Sequence, residues 1–379
     1  MPNRRNIVCD RPKSHTMTRA KQIIRDDVQA MSAYHVSGAS GLVKLDVMES
    51  PYRLPDWLAK EVGDVVANLE LNRYPVPTAH KLRALIKDVM QVPAGCDVLL
   101  GTGSDECIQY ITAAIAREGA TVMAPAPSFA MFGLYAQLYR LPFVGVPLNA
   151  DFTLDAGRFI AAMQQHKPAL VWLAFPNNPT GNPFPVADIE RIIAAAPGLV
   201  VIDEAYQPFA RTTFMPRIAE VDNLVVLRTV SKIGMAGVRL GYVSGRPEWI
   251  NEFDKTRSPF NVSVLSEAVA IKLLENKQVL DAQAAIVRAE REKLVEALKG
   301  LGGLTQFPSA ANFVLARVEG DSQGKGGAGT RVFERMKQQG VLVKNFSGGH
   351  LLLDNCLRLT VGTPAENAAM LAALKTALS

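Results

Sequence analysis

Short apolar runs alternate with helical stretches through the centre of the chain. DVLLGTG, ATVMAPAP, FVGVPLN, ALVWLAFP, LVVIDEAY, LVVLRTVS and LGYVSG are apolar with little in–out alternation. Strands of that kind are covered on both faces. Between several of them lie helical segments such as DECIQYITAAIAREG and VADIERIIAAAPG, and Gly or Pro closes many segments. This alternation predicts an α/β fold whose large domain is a mainly parallel sheet covered by helices.

The last hundred or so residues change character. A single long helix from Ser263 to Gly300 is expected, rich in Ala, Glu, Lys and Leu. NFVLARV, the helix TRVFERMKQQG, strands VLVKNF and CLRLTVG, and the helix AENAAMLAALKTAL follow. That is a smaller α+β unit. The segment from Ala20 to Leu58, which contains KLDVMESPYRLP, is expected to pack on it, so that both chain ends build the small domain. The expected divisions are 1–19 as a flexible extension, 20–60 as an arm and part of the small domain, 61–270 as the large domain, and 271–379 as the rest of the small domain. The Gly-rich loop from Asp321 to Thr330 reads as a flexible connection, since it fits no phosphate-site pattern. There is no tandem repeat.

At 379 residues and 48% hydrophobic content, the chain can bury a large and a smaller core. The net charge of +5 is mild. Arg4, Arg5, Arg11, Lys13, Arg19, Lys21 and Arg25 read as a solvated terminus rather than a nucleic-acid arm. Met17 offers an alternative start. Cys9, Cys96, Cys107 and Cys356 are scattered and form no C-x-x-C pair, which points to buried free thiols and no metal. No run approaches the roughly 18 apolar residues of a membrane span, and the N-terminus has no apolar signal core. A cytoplasmic protein with no membrane or nucleic-acid partner is expected.

Polar residues end the apolar runs in a telling order. Asn178 follows ALVWLAFP, Asp203 and Tyr206 end LVVIDEAY, Ser231 and Lys232 end LVVLRTVSK, and Arg239 comes soon after. An aspartate ending VVID is costly to bury alone. A lysine past a buried strand needs a reason to be there. One ligand answers both: an aldehyde-bearing pyridine, whose carbonyl takes Lys232 as a Schiff base and whose ring nitrogen pairs with Asp203. Tyr206 and Asn178 would hydrogen-bond the ring's 3-oxygen, and Phe129 would stack on the ring. GTGSDE opens a helix, so the backbone N–H groups of Gly103, Ser104 and Asp105 face an anion. Thr229, Ser231 and Arg239 would complete a phosphate site. Each residue also has a bland reading: snorkelling lysine, capping aspartate, interface tyrosine, turn asparagine, core phenylalanine. Their joint order outweighs these.

The ordered set GSDE, PSF, NNPTG, DEAY, SK and a later Arg resembles the fold-type I, pyridoxal-phosphate-dependent aminotransferases, over nearly the whole chain from about Ala20. Within them, KLDVMESPYRLP, RYPVP, GTGSDE, RTVSKIGMAGVRLGY and CLRLTVGTPAEN resemble the histidinol-phosphate aminotransferases. The resemblance implies pyridoxal 5'-phosphate as cofactor and a homodimer in which Tyr74 reaches the cofactor phosphate of the other subunit. It implies that Arg358 faces the substrate anion, with Tyr34 and Lys344 as further substrate-binding residues. The implied reaction is ping-pong transfer from L-histidinol phosphate to 2-oxoglutarate in L-histidine biosynthesis, with Lys232, Asp203 and Tyr206 catalytic. Lys344 stands where many members carry arginine, Ser50 replaces an asparagine, Phe129 replaces a frequent tyrosine, and the Lys232–Arg239 spacing is one residue short. The alternatives are an aromatic or broad-range aminotransferase, a lyase like threonine-phosphate decarboxylase, and a non-catalytic regulator. The last would need a DNA-binding unit, for which the N-terminal segment is too short.

Overall fold

A computed structural model of the chain describes residues 18–33, 38–322 and 326–379. Thirteen strands follow in chain order: β1 Val43–Lys44, β2 Asp97–Gly101, β3 Val122–Ala126, β4 Phe143–Pro147, β5 Leu170–Ala174, β6 Leu199–Asp203, β7 Leu224–Thr229, β8 Gly241–Gly245, β9 Leu304–Gln306, β10 Phe313–Val318, β11 Val341–Leu342, β12 Lys344–Asn345 and β13 Cys356–Thr360. Seven of them form the central sheet in the order β2-β8-β7-β6-β5-β3-β4. Only β8 runs antiparallel to its neighbours. This is the expected α/β sheet, and all seven apolar runs supply its strands.

The lack of alternation in those runs has its cause in the two covered faces. In β7, Leu224 and Val226 join the core on one face, while Val225 and Leu227 join the core on the other. Helix Ser104–Ile115 puts Ile108 and Ile111 on the second face, where Phe132 stacks on Trp172 at 4.8 Å. Helices His80–Val89, Ala156–His166 and Val186–Ala195 cover the first face through Ile86, Phe159 and Ile189. Burying each such side chain is worth about 1.5–3 kcal/mol.

A four-stranded antiparallel sheet has the order β12-β13-β10-β9, and β1 pairs with β11 in parallel. Through that pair, Val43 and Lys44 sit opposite Val341 and Leu342. Residues Ala39–Ser379 form one compact unit that holds all these sheets. In the preceding unit, Thr18 caps the short helix Arg19–Ile23 by accepting from the Lys21 N–H.

Three expectations need correction. The long helix is two, Val264–Glu275 and Lys277–Lys299, interrupted at Asn276. The Asn276 amide donates to the Lys272 carbonyl at 2.9 Å, so its side chain satisfies a group that the helix end leaves open. VLVKNF is not one strand, because its first half pairs with β1 and its second with β13. Finally, helix Ala328–Gln338 begins inside the expected loop, closed by an ion pair between Arg331 and Asp321. Residues 323–325, the first seventeen residues with Cys9 and Met17, and Tyr34 lie outside the described residues. Cys96, Cys107 and Cys356 are buried free thiols. Among the described residues, no helix is long and apolar enough to cross a membrane.

Candidate active site

Ligand sites in open parallel sheets lie beyond the carboxyl ends of the strands. Here the ends of β5, β6 and β7 open into a cavity of about 370 Å³. Asn178 follows β5, Asp203 ends β6 with Tyr206 just beyond, and Thr229 ends β7 just before Ser231 and Lys232. All of these line the cavity, together with Ser104, Asp105, Phe129 and Arg239.

Lys232 lies in the tight turn Ser231–Ile233 after β7. Its Nζ donates to the Val47 carbonyl at 3.2 Å and stands 5.9 Å from the centre of the Tyr206 ring. The side chain opens to the cavity on one side but sits deep in protein. That burial, and then the Arg358 cation, lower its pKa to about 8. Asp203 is 4% exposed, and its Oδ1 accepts from the Ala205 N–H at 2.9 Å. Burial raises its carboxyl to about 7, against the opposing pull of that N–H. The cavity thus holds an amine with a lowered pKa and a carboxylate that forms no ion pair among the described residues.

The phosphate end is built from backbone. Gly103 has φ 81° and precedes helix Ser104–Ile115, whose first N–H groups have no acceptor within the helix. A Cβ on Gly103 would lie 2.6 Å from an Arg239 guanidinium nitrogen, so only glycine allows that approach. Arg239 also lies 3.9 Å from the Asp105 carboxylate. Thr229 Oγ1 is 2.9 Å from Ser231 Oγ and 3.0 Å from the Leu240 carbonyl. Two hydroxyls, a guanidinium and a helix start converge there, and this donor set matches a phosphate dianion.

Arg358 approaches from β13. It is 6% exposed, donates to Asn178 Oδ1 at 2.6 Å and to the Asp46 carbonyl at 2.9 Å, and lies between the rings of Phe313 and Phe346 at 5.3 Å from each. Asn178 in turn donates to the Tyr206 hydroxyl at 3.1 Å. Arg358 meets the cavity through Asn178, and neither it nor Lys344, opposite it in the β12–β13 register, lines the cavity. Tyr74 is outside the cavity as well, 81% exposed and stacked on Phe260 at 4.7 Å. Ser50 accepts from the Tyr52 N–H at 3.4 Å.

One wall of the cavity does not come from a strand end of the central sheet. Val47, Met48 and Glu49 line the cavity from the N-terminal side. The Tyr206 hydroxyl donates to Met48 Sδ at 3.3 Å, and Asn312 donates to the Met48 carbonyl at 3.0 Å. In the sequence this stretch, KLDVMESP, enters the functional reading through the family resemblance alone, which assigns no role to these three residues. Asp203 and the phosphate donors together fit a pyridine carrying a phosphate, as the strand-end residues suggested.

The family model described as aminotransferase class I and II matches residues 40–374. Histidinol-phosphate aminotransferase 1 of Ralstonia nicotianae is 56% identical over 94% of this chain and 95% of its own length. Histidinol-phosphate aminotransferase 2 of Cupriavidus pinatubonensis is 55% identical over 94% and 97%. The crystal structure of histidinol-phosphate aminotransferase from Sinorhizobium meliloti, in complex with pyridoxal 5'-phosphate, shares the fold with a TM-score of 0.82, at 24% identity over 94% of this chain and 97% of that one. The chain therefore belongs to the class I and II aminotransferases and, within them, to the histidinol-phosphate aminotransferase family.

Proposed function

We propose that the protein transfers the amino group of L-histidinol phosphate to 2-oxoglutarate, giving 3-(imidazol-4-yl)-2-oxopropyl phosphate and L-glutamate, a step of L-histidine biosynthesis. The observation that carries this reading is one cavity shared by Lys232, with its lowered pKa, and Asp203, with Arg358 bonded to the cavity residue Asn178. The names of the relatives support the same substrate and do not favour the aromatic aminotransferase, lyase or regulator readings.

Pyridoxal 5'-phosphate, when bound, supplies an aldehyde for the amine and a protonated ring that draws electrons from the reacting carbon. Gly103, Ser104 and Asp105 through their N–H groups, with Thr229, Ser231 and Arg239, would hold its phosphate. Phe129 would stack on the ring. Asp203 would accept from the ring nitrogen, and Asn178 and Tyr206 would hydrogen-bond the ring oxygen. With its pKa near 8, Lys232 has an appreciable unprotonated fraction at neutral pH. Its amine removes the proton from the substrate α-carbon and, in the return half of the cycle, replaces it. Arg358 holds the phosphate of one substrate and a carboxylate of the other, and Lys344, opposite it in the β12–β13 register, adds its charge nearby. Phe313 and Phe346 shield that guanidinium from water, which strengthens its pull on an anion.

The working form is a cytoplasmic homodimer, with Tyr74 reaching the second copy's site. Leu71, Tyr74, Val76 and Phe260 are large apolar groups left exposed on this chain, which supports that reading. The test is the visible spectrum of the purified protein. L-Histidinol phosphate added without oxo-acid should convert the bound cofactor to its amine form, and phenylalanine should do so far more slowly. Lys232→Ala should abolish turnover. Full activity of that variant would overturn the assignment.

A further inference from the structure

We propose that Glu49 reads the imidazole ring of the substrate and thereby sets the preference for histidinol phosphate over phosphorylated amines with a plain aromatic ring. The inference rests on the substrate proposed above and names the group that selects it.

Three carboxylates line the cavity: Glu49, Asp105 and Asp203. Asp203 is buried at the end of β6, where the ring nitrogen of the cofactor would meet it. Asp105 stands in the first turn of its helix, 3.9 Å from Arg239, at the phosphate end. Glu49 belongs to a different wall. It ends a strap whose successive carbonyls are held by two cations and an amide: Arg358 donates to Asp46, Lys232 to Val47 and Asn312 to Met48. The strap is thus fixed relative to both the amine that reacts and the guanidinium that takes the substrate phosphate. A substrate with its nitrogen toward Lys232 and its phosphate toward Arg358 has its ring left to place. The strap carries two carboxylates, and of these Glu49 lines the cavity while the buried Asp46 does not.

Its side chain is oriented without being saturated. Lys44 Nζ lies 2.5 Å from Glu49 Oε2, and Lys44 is itself anchored by the β1–β11 pairing. A carboxylate offers about four acceptor positions, so roughly three remain for a ligand. Imidazole donates an N–H in either protonation state, whereas phenyl donates none. The Glu49 side chain is 45% exposed, so water competes for it. The expected discrimination is therefore about tenfold, well short of what a fully buried acceptor gives.

The test compares L-histidinol phosphate with L-phenylalaninol phosphate, which keeps the amine and the phosphate but has no ring N–H. Wild type should favour the first. Glu49→Met, which keeps the length of the side chain and removes the acceptor, should lower the ratio of their kcat/KM values by about tenfold. The loss should appear in KM for histidinol phosphate, with kcat changed less than threefold. Calorimetric binding of both compounds to cofactor-loaded Lys232→Ala protein, with and without Glu49→Met, should show the same selective loss where no turnover occurs. An unchanged ratio overturns the role of Glu49 and leaves the proposed reaction standing. An equal loss for both compounds, accompanied by a lower melting temperature, also overturns it, since it assigns the Lys44–Glu49 pair to structure. Failure of the wild type to convert histidinol phosphate overturns the proposed reaction itself.

Discussion

Arg358 donates to Asn178 Oδ1 at 2.6 Å and so ties the C-terminal sheet to the loop beyond β5. Because Asn178 also donates to Tyr206, the guanidinium that would bind substrate is one bond removed from the groups that would bind the cofactor ring. Arg358→Lys keeps the charge but loses the planar fork and its place between two rings. KM should rise roughly 10- to 100-fold, on the order of 1.5–3 kcal/mol, for L-histidinol phosphate and 2-oxoglutarate alike. Steady-state kinetics with each substrate varied in turn would check this. A rise confined to one of them would count against a shared anion site.

Gly103 and Gly241 test the phosphate end in different ways. A Cβ on Gly103 meets the movable Arg239 side chain at 2.6 Å, and the backbone there has φ +81°. A Cβ on Gly241 meets the Ser104 backbone nitrogen at 2.4 Å, where no rotamer change gives relief. Gly103→Ala should therefore fold, with a loss of about 1–2 kcal/mol from the left-handed backbone, and bind pyridoxal 5'-phosphate at least tenfold more weakly. Gly241→Ala should lose more stability, because the β8 backbone must shift. Thermal melts with cofactor titrations would separate the two. Wild-type cofactor affinity in Gly103→Ala would remove Arg239 from the phosphate site.

The seven strands of the central sheet were legible because each is a short apolar run with a clear stop. The helix break at Asn276 was hidden, since the Ala-, Glu- and Lys-rich pattern runs through it and only a side-chain bond to Lys272 marks the end. VLVKNF read as one strand because nothing in its composition shows that Val343 separates two pairings. Around the cavity, Asn178, Asp203 and Lys232 announced themselves as polar groups closing buried strands. Val47, Met48 and Glu49 did not. Two of them are held through backbone carbonyls, which every residue carries, and their partners are remote in sequence. Phe313 and Phe346 were equally silent, since a ring beside a guanidinium looks like any core aromatic until the fold brings the two together.

Asp203 and Lys232 make the stability of the cofactor-free protein depend on pH. The Asp203 carboxyl is raised from 3.8 to about 7, so the folded state holds more protons than the unfolded state between those values. Stability then falls as pH rises through that window, by on the order of 4 kcal/mol at most. Lys232, lowered from 10.5 to about 8, acts in a second window: its destabilisation is full below 8 and fades as pH rises toward 10.5. Asp203→Asn should raise the melting temperature of cofactor-free protein at pH 8 and change it little at pH 4. Bound pyridoxal 5'-phosphate, with a cationic ring nitrogen, should erase much of the wild-type dependence and bind the variant more weakly. A gain equal at both pH values would mean that the carboxyl titrates normally.

Behind the cavity, Glu204 and Arg228 form a buried ion pair at 2.8 Å, with side chains 0% and 8% exposed. Each is the sequence neighbour of a cavity residue, Asp203 and Thr229. Thr213 hydrogen-bonds both partners, and the Phe214 N–H adds a further bond to Glu204. The pair therefore holds the ends of β6 and β7 in register from the far face. Arg228→Met leaves a buried carboxylate with only the Thr213 hydroxyl and one N–H, which should cost about 3–5 kcal/mol. Removing both charges in Arg228→Met/Glu204→Leu should recover most of that loss, because no unpaired ion remains. Denaturant unfolding of the wild type, both single variants and the double variant gives the coupling directly. Additive losses in the double variant would show that the two side chains act independently, and that β6 and β7 are aligned by their backbone ladder alone.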